Sequence, residues 1–289
     1  MSRPVTVGID GSAPSLAAAS WAAREAELRD APLHMLAAWS VADGVRPDAP
    51  EAAASRHWAV RSLDLALDRL RGRHPRLELH ARLLNARPRE ALLNAGADAE
   101  LLVLGSRGLG GTSALLLGST GAQTAAQADF PVTLVRSLPH PHDLPDGPVL
   151  LAVDAGHDAP DNVIALAFEE AAMRKAPLRA LYAWLPPGLL PTYPVTVASR
   201  PHGRSPQARH AEHRLTEVLL PWRRKFPDVR VEEVCLEDVP AGAVAAAARR
   251  AALTVLGHRV SPDAGSRLGA VAHAAVRDAP CPVLLVPHM

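Results

Sequence analysis

The first half of the chain contains three spaced glycines followed by a serine, a pattern typical of a phosphate-binding loop. The segment LLVLGSRGLGGTSALLLGST at residues 101–120 carries them as Gly105, Gly108, Gly118 and Ser119. Glycine lets backbone approach a phosphate with no Cβ in between, and a helix N-terminus offers N–H groups and the positive end of its dipole. Arg107, Ser119 and Thr120 would add further donors. The spacing indicates anion binding, and a flexible connection is the alternative.

This loop differs from two well-known phosphate loops. A Walker A loop requires Gly-Lys-Ser/Thr, and the dinucleotide-binding turn places its glycines after the first strand. Here the glycines follow the apolar run Leu101–Leu104, and the loop contains no lysine. Because no lysine would reach a transferring phosphate and no base is clearly placed, the sequence does not predict efficient catalysis.

The elements that must position this loop occur twice along the chain, which makes each copy a whole domain. The matched segments, in the same order and with similar spacing, are Val5–Asp10 with Val149–Asp154, Ala31–Trp39 with Ala176–Trp184, Leu101–Arg107 with Leu253–Arg259, and Phe130–Val135 with Cys281–Val286. We predict domains at residues 1–137 and 148–289, joined by a Pro- and His-rich linker at 138–147.

Apolar runs alternate with helical patterns in both copies, which predicts parallel strands with helical crossovers. The fold class is α/β, with two tandem, doubly wound, five-stranded parallel-sheet domains of Rossmann-like type. The predicted strands are Val5–Ile9, Leu33–Trp39, Leu77–Leu83, Leu101–Leu104, Val132–Val135, Val149–Val153, Leu178–Trp184, Val229–Leu236, Leu253–Leu256 and Val283–Val286. The predicted helices are Ser15–Arg29, Ala52–Arg71, Arg89–Ala97, Leu115–Gln127, Ala159–Arg174, Pro206–Lys225, Ala241–Ala251 and Arg267–Arg277.

Charge and composition argue against several classes of partner. The 289 residues include 31 basic and 30 acidic ones, for a formal net charge of +1, and no long basic run suits nucleic acid. No stretch approaches the roughly 20 apolar residues that span a membrane. Cys235 and Cys281 lack metal-ligand spacing and are interpreted as small buried hydrophobic residues. We expect a soluble protein of the cytoplasm.

The glycine pattern resembles the signature of the universal stress proteins, G-x2-G-x9-G-[ST], which follows the fourth strand in that family. The first strand, which ends in Asp10, and the PV-x-x-V pattern of Pro131, Val132 and Val135 are also similar to the family. The resemblance covers almost the whole chain as two tandem domains. It implies the adenine nucleotide alpha hydrolase-like variety of the Rossmann-like fold.

The resemblance also implies that ATP, accompanied by Mg²⁺, binds at the strand ends of the first copy. By the matched positions, the ATP-binding residues would be Asp10, Gly11, Ala38, Gly105, Arg107, Gly108, Gly118, Ser119 and Thr120. Asp10 would meet the nucleoside or its metal ion, and Ala38 would lie against the adenine. The alternative interpretation makes Asp10 a turn residue that caps the helix after Ser12, and makes Ala38 a core residue.

The second copy departs from the signature. Val260 stands where the first copy has Gly108, Ala270 replaces Ser119, and the loop to Gly269 is one residue shorter. A β-branched side chain at the phosphate approach and the loss of a hydroxyl predict lost or weakened nucleotide binding. An alternative alignment, through Gly265 and Ser266, stays open.

The leading functional hypothesis is an ATP-binding regulatory protein of the stress response, with no catalytic residue assigned. Weak ATP hydrolysis or self-phosphorylation near Ser119 or Thr120 is one alternative. A nucleotide-independent interaction scaffold is another. An adenylating enzyme of related fold is a third, although such enzymes carry their phosphate loop after the first strand, where this chain has only Gly11-Ser12.

The expected partners are an adenine nucleotide and either a second copy of the chain or a regulatory protein of unknown identity. Single-domain members of the resembled family commonly pair through their last strand. This implies a pseudo-twofold arrangement in which Val132–Val135 and Val283–Val286 lie adjacent and antiparallel. Such pairing would satisfy the free N–H and C=O groups of two apolar edge strands.

Overall fold

The first structural unit is an alternating α/β array with a parallel sheet. The computed structural model describes residues 2–40, 49–106, 119–137, 146–155, 159–185, 205–260 and 268–288. In chain order, the unit contains β1 (Val5–Gly8), α1 (Ala13–Leu28), β2 (Leu33–Trp39), α2 (Pro50–Arg73), β3 (Leu79–Asn85), α3 (Pro88–Ala97), β4 (Leu101–Ser106), α4 (Ser119–Gln127) and β5 (Val132–Arg136). Its strands lie in the order β3-β2-β1-β4-β5.

The second unit repeats this plan. It contains β6 (Val149–Ala152), α5 (Asp161–Arg174), β7 (Leu178–Trp184), α6 (Pro206–Lys225), β8 (Val231–Glu237), α7 (Pro240–Ala247), a 3₁₀ turn at Ala248–Arg250, β9 (Leu253–Arg259), α8 (Ala270–Asp278) and β10 (Val283–His288). Its parallel strands lie in the order β8-β7-β6-β9-β10. The predicted α/β class with two tandem parallel-sheet domains is therefore confirmed.

The order of the strands fixes where a ligand would bind. In the first unit the chain builds outward from β1 through β2 to β3, and then returns to place β4 on the other side of β1. The crevice at such a reversal, outside the carboxyl ends of the strands, is the usual ligand position in open parallel sheets. In the second unit the same reversal occurs between β6 and β9.

Several element boundaries differ from the prediction. The third strand of each copy begins two residues later than predicted, at Leu79 and Val231. The reason is a hydrogen-bonded turn after the preceding helix, in which Leu77 N–H donates to His74 O and Val229 N–H donates to Phe226 O. These apolar residues belong to the turn rather than to the strand.

Other boundaries also differ: β9 continues to Arg259 rather than ending at Leu256, and α8 begins at Ala270, with Leu268 and Gly269 outside the helix. The helix predicted at Ala241–Ala251 ends as an α-helix at Ala247 and continues as the 3₁₀ turn. Residues 115–118 and 267, the predicted first residues of two helices, lie outside the described residues, as do linker residues 138–145. The linker boundaries and the pseudo-twofold arrangement stay predictions.

A buried ion pair recurs at the same place in both units. Glu25 of α1 and Arg29, the C-cap residue of that helix, form an i,i+4 pair whose side chains are only 2% and 3% exposed, and Arg29 Nε also lies 3.1 Å from Glu100 Oε1. Glu170 and Arg174 of α5 form the corresponding pair, in which Glu170 is fully buried. Charges out of contact with water are tolerated when they are paired, and in the first unit the contact with Glu100 also ties the end of α1 to the residue before β4.

Removal of one partner of this pair should destabilise the protein strongly. Arg29→Met removes the guanidinium that pairs with the buried Glu25 carboxylate, and we expect the free energy of unfolding to fall by about 3–5 kcal/mol. Arg179→Met is the matched control, because its partner Glu232 is half exposed and exposed pairs contribute at most about 1 kcal/mol. Urea denaturation measures both. Similar small losses in the two variants would contradict the interpretation.

Candidate functional site

The described site positions of the first unit converge at the reversal of the sheet. Asp10 and Gly11 follow β1, Ala38 is the penultimate residue of β2, and Gly105 lies in β4. Because β1 pairs with both β2 and β4, the fold brings these positions to one edge. Thr120 is half-buried in the first turn of α4, which begins at Ser119. Arg107, Gly108 and Gly118 lie outside the described residues.

Asp10 shapes the turn after β1. Its Oδ1 accepts a hydrogen bond from Ser12 N–H at 2.9 Å, which is the geometry of an Asx turn. Its backbone carbonyl accepts a hydrogen bond from Trp58 Nε1 at 3.2 Å. Gly11 follows with a φ of +79°, a conformation that residues with a Cβ rarely adopt. The structure thus gives Asp10 the turn role of the alternative interpretation, while its side chain stays exposed at the strand ends.

Helix α1 begins immediately after this turn and is capped by side chains. Ser15 N–H donates to Ser12 Oγ at 3.3 Å, and Ser15 Oγ donates to the Ser12 carbonyl at 2.9 Å. Ser12 therefore acts as the N-cap, with Pro14 in the first turn. This arrangement fixes the N-terminus of α1 beside the predicted nucleotide position.

Gly105 has a packing role that the sequence argument did not include. A Cβ at this position would lie 2.5 Å from the carbonyl carbon of Pro14 and 2.6 Å from the backbone nitrogen of Ser15. On the side of α4, a Cβ on Gly121 would lie 3.3 Å from the Gly105 carbonyl oxygen. The two glycines therefore let β4 approach the backbone of α1 and of α4, and this close packing forms the base of the site.

Two residues of α2 also lie at the candidate site of the first unit, and the sequence analysis missed them. Ser62 is buried, and its Oγ would collide with a Cβ on Gly11. The Trp58 ring lies over the same turn, with Cζ2 3.5 Å from that hypothetical Cβ, although the residue is 64% exposed. The signal that could have identified Trp58 in the sequence is a tryptophan in a predicted helix that is otherwise rich in alanine and arginine.

The equivalent site of the second unit is built differently. Ala155 replaces Gly11, and Arg214 of α6 replaces Ser62, so that Arg214 Nε donates to the Ala155 carbonyl at 3.1 Å. The counterpart of Gly105 is Gly257, whose Cβ position is bordered by the His288 ring, with Cδ2 at 2.8 Å, and by Val163 Cγ2 at 3.2 Å. Side chains thus stand where the first unit has helix backbone.

The comparisons with known proteins decide the family. The model of the universal stress protein family matches the chain twice, over residues 1–136 and 147–287. The chain belongs to the universal stress protein family. A universal stress protein of Mycolicibacterium smegmatis is 30% identical over 98% of this chain and 96% of its own, and one from Mycobacterium tuberculosis H37Rv is 30% identical over 99% of both chains.

A solved universal stress protein structure supports the fold. The crystal structure of a universal stress protein from Archaeoglobus fulgidus has a TM-score of 0.70 and covers 99% of both chains. At 16% identity this similarity shows only that the two proteins share a fold. Its full coverage agrees with a tandem arrangement of two universal stress protein domains.

The contrast between Gly105 and Gly257 can be tested by matched substitutions. Gly105→Ala would push a Cβ into helix backbone, and overpacking of this kind costs about 1–3 kcal/mol. Gly257→Ala would meet the end of the His288 side chain and one methyl of Val163. Because the His288 ring can rotate away, we expect a loss of less than about 1 kcal/mol. Urea denaturation of both variants measures the difference, and a greater loss in Gly257→Ala would contradict the packing account.

Proposed function

We propose that the first unit binds ATP and that the protein acts as a nucleotide-binding regulator in the stress response. The observation that carries the proposal is the convergence of the family glycine motif with the sheet reversal. Gly105, the Asp10–Gly11 turn and the start of α4 all lie at the carboxyl ends of β1 and β4, where open parallel sheets bind their ligands.

The described residues fit the chemistry of a nucleotide. The first turn of α4 carries Ser119 and Thr120, and helix N-termini favour phosphate. The half-buried Ala38 and the exposed Asp10 carboxylate lie on the β1–β2 side of the same edge. In this proposal Gly105, Arg107, Gly108, Gly118, Ser119 and Thr120 hold the phosphates and ribose, and Ala38 lies against the adenine.

Mg²⁺ would enter with the nucleotide. Within the described ranges, no group of three or more His, Cys, Asp or Glu side chains is arranged to hold a metal ion. Mg²⁺ in nucleotide sites commonly uses one or two carboxylates together with phosphate oxygens and water. Asp10 is the carboxylate that we assign to this role.

The proposal favours a binder over an enzyme. The motif contains no lysine to stabilise a transferring phosphate, so we expect any ATP hydrolysis or self-phosphorylation to be slow. The partner protein in this proposal is a second copy or a regulatory protein, and the compartment is the cytoplasm. Among the helices described, none is both long and apolar enough to cross a membrane.

The asymmetry between the copies predicts one ATP per chain. Gly118→Val should abolish binding in isothermal titration calorimetry, because the new side chain would occupy the phosphate position. Gly269→Val is the matched control at the equivalent position of the second copy, where a Cβ would have no atom of a described residue within 4 Å. The control should keep the wild-type affinity and stoichiometry. Two equal sites, or a loss caused only by Gly269→Val, would refute the proposal.

The two interpretations of Asp10 can be separated with a pair of variants. Asp10→Asn keeps an oxygen that can accept from Ser12 N–H but removes the charge, whereas Asp10→Ala removes both. If Asp10 meets the metal, Asn should weaken binding of Mg-ATP by about tenfold or more and leave thermal stability unchanged. Titration with and without Mg²⁺ provides the measurement. Wild-type Mg-ATP affinity in the Asn variant would leave Asp10 with its turn role alone.

A further inference from the structure

The second unit contains a cavity at the carboxyl ends of its central strands. Its volume is about 540 Å³, within the range of small-molecule sites. The floor and walls are mostly aliphatic, with contributions from Val163, Leu181, Val244 and Leu256. The polar and aromatic residues of the lining are Asp154, Tyr182, Trp184, Arg259 and His288.

This cavity has a structural cause in the length of α5. The buried Glu25 follows the first residue of α1, Ala13, by twelve positions, whereas Glu170 follows the first residue of α5, Asp161, by nine. The second helix therefore starts almost one turn later. In the first unit the backbone of that turn packs against Gly105. In the second unit the His288 ring and Val163 lie beside Gly257 instead of helix backbone, and all three residues line the cavity.

An arginine and a histidine side chain of the cavity lining lie on neighbouring strands. Arg259 and His288 are register partners at the carboxyl ends of β9 and β10. Arg259 is exposed and His288 is half-buried. A guanidinium can bind a carboxylate through two parallel hydrogen bonds, and the imidazole offers a further donor.

Tyr182 and Trp184 provide an aromatic wall. They are two residues apart on β7, so their side chains leave the same face of the sheet. Burial is the main cause that raises the pKa of the Tyr182 hydroxyl, and the nearby Asp154 raises it further. The hydroxyl therefore stays protonated at neutral pH and can donate a hydrogen bond. A flat, apolar ligand body suits such a wall.

Within the described residues, which leave out 261–267, this region lacks the features of a polyphosphate site. Val260 stands at the position of a motif glycine, and α8 begins at Ala270 after Gly269 with no side-chain cap. The described residues supply one arginine and one histidine rather than a series of glycine N–H groups. A single guanidinium, with the Asp154 carboxylate also in the lining, suits one acidic group better than a triphosphate.

We propose that this cavity binds a small carboxylate with a planar apolar body, held by Arg259 and His288 at its acidic end and by Tyr182 and Trp184 along its body. The second unit is then a ligand-binding domain of different specificity from the first. This inference does not depend on ATP binding by the first unit.

Calorimetric titration of the full chain with 2-naphthoate tests the proposal. We expect one site per chain, with the neutral 2-naphthalenemethanol binding at least about tenfold more weakly. Arg259→Gln should weaken 2-naphthoate binding by about tenfold or more. Arg249→Gln, an exposed residue of the 3₁₀ turn, should leave it unchanged. Because Arg259 is exposed, its substitution should leave the melting temperature near that of the wild type.

Two further variants locate the site. Val271→Trp, at a half-buried wall position of α8, should fill the cavity and abolish 2-naphthoate binding, whereas Gly118→Val should not affect it. Absence of binding at about 1 mM, equal binding of the neutral analogue, or displacement of 2-naphthoate by AMP or ATP would each overturn the proposal. Loss of ATP binding alone would count against the first-unit function and leave this inference intact.

Discussion

The close approach of β4 to the first turn of α1 is the constraint on which the candidate site of the first unit depends. Gly105 leaves no room for a Cβ between the strand and the backbone of Pro14 and Ser15. The approach sets the position of the helix N-terminus, and the caps from Ser12 and Ser15 hold it there. The Asp10–Gly11 turn and the start of α4 are then fixed relative to one another, which is what a preorganised anion site requires.

The two copies place different residues at the strand ends of the same scaffold. The buried Glu–Arg pair occurs in both, at Glu25–Arg29 and Glu170–Arg174. At the strand ends the copies diverge in a linked way. Where Gly11 packs against Ser62 in one copy, Ala155 accepts a hydrogen bond from Arg214 in the other. Each change in the turn is matched by a change in the helix above it.

Much of the fold could be predicted from the sequence. Continuous apolar runs and four repeated segments identify the strands, and β2, β7 and α6 agree with the predicted bounds. The third strands were placed two residues early because Leu77 and Val229 are apolar, although backbone hydrogen bonds hold them in turns. Hydrophobicity alone does not distinguish these two environments.

The site was only partly predictable, for a different reason. The glycine motif and Asp10 are local patterns that a sequence displays. The contact of Trp58 with the Asp10 carbonyl joins residues 48 positions apart. The cavity of the second unit arises from the later start of α5 and from the position of His288, so no single segment reveals it. Such features depend on the packing of separate elements.

Native mass spectrometry of the purified full-length chain with Mg-ATP tests the central claim most directly, because it counts the bound nucleotides on each molecule. The account predicts a single mass increment of one ATP per chain. Two increments of comparable abundance would show that the second copy is an equivalent nucleotide site, and an unmodified mass at saturating ATP would show that the first copy is not one. Either result would contradict the account.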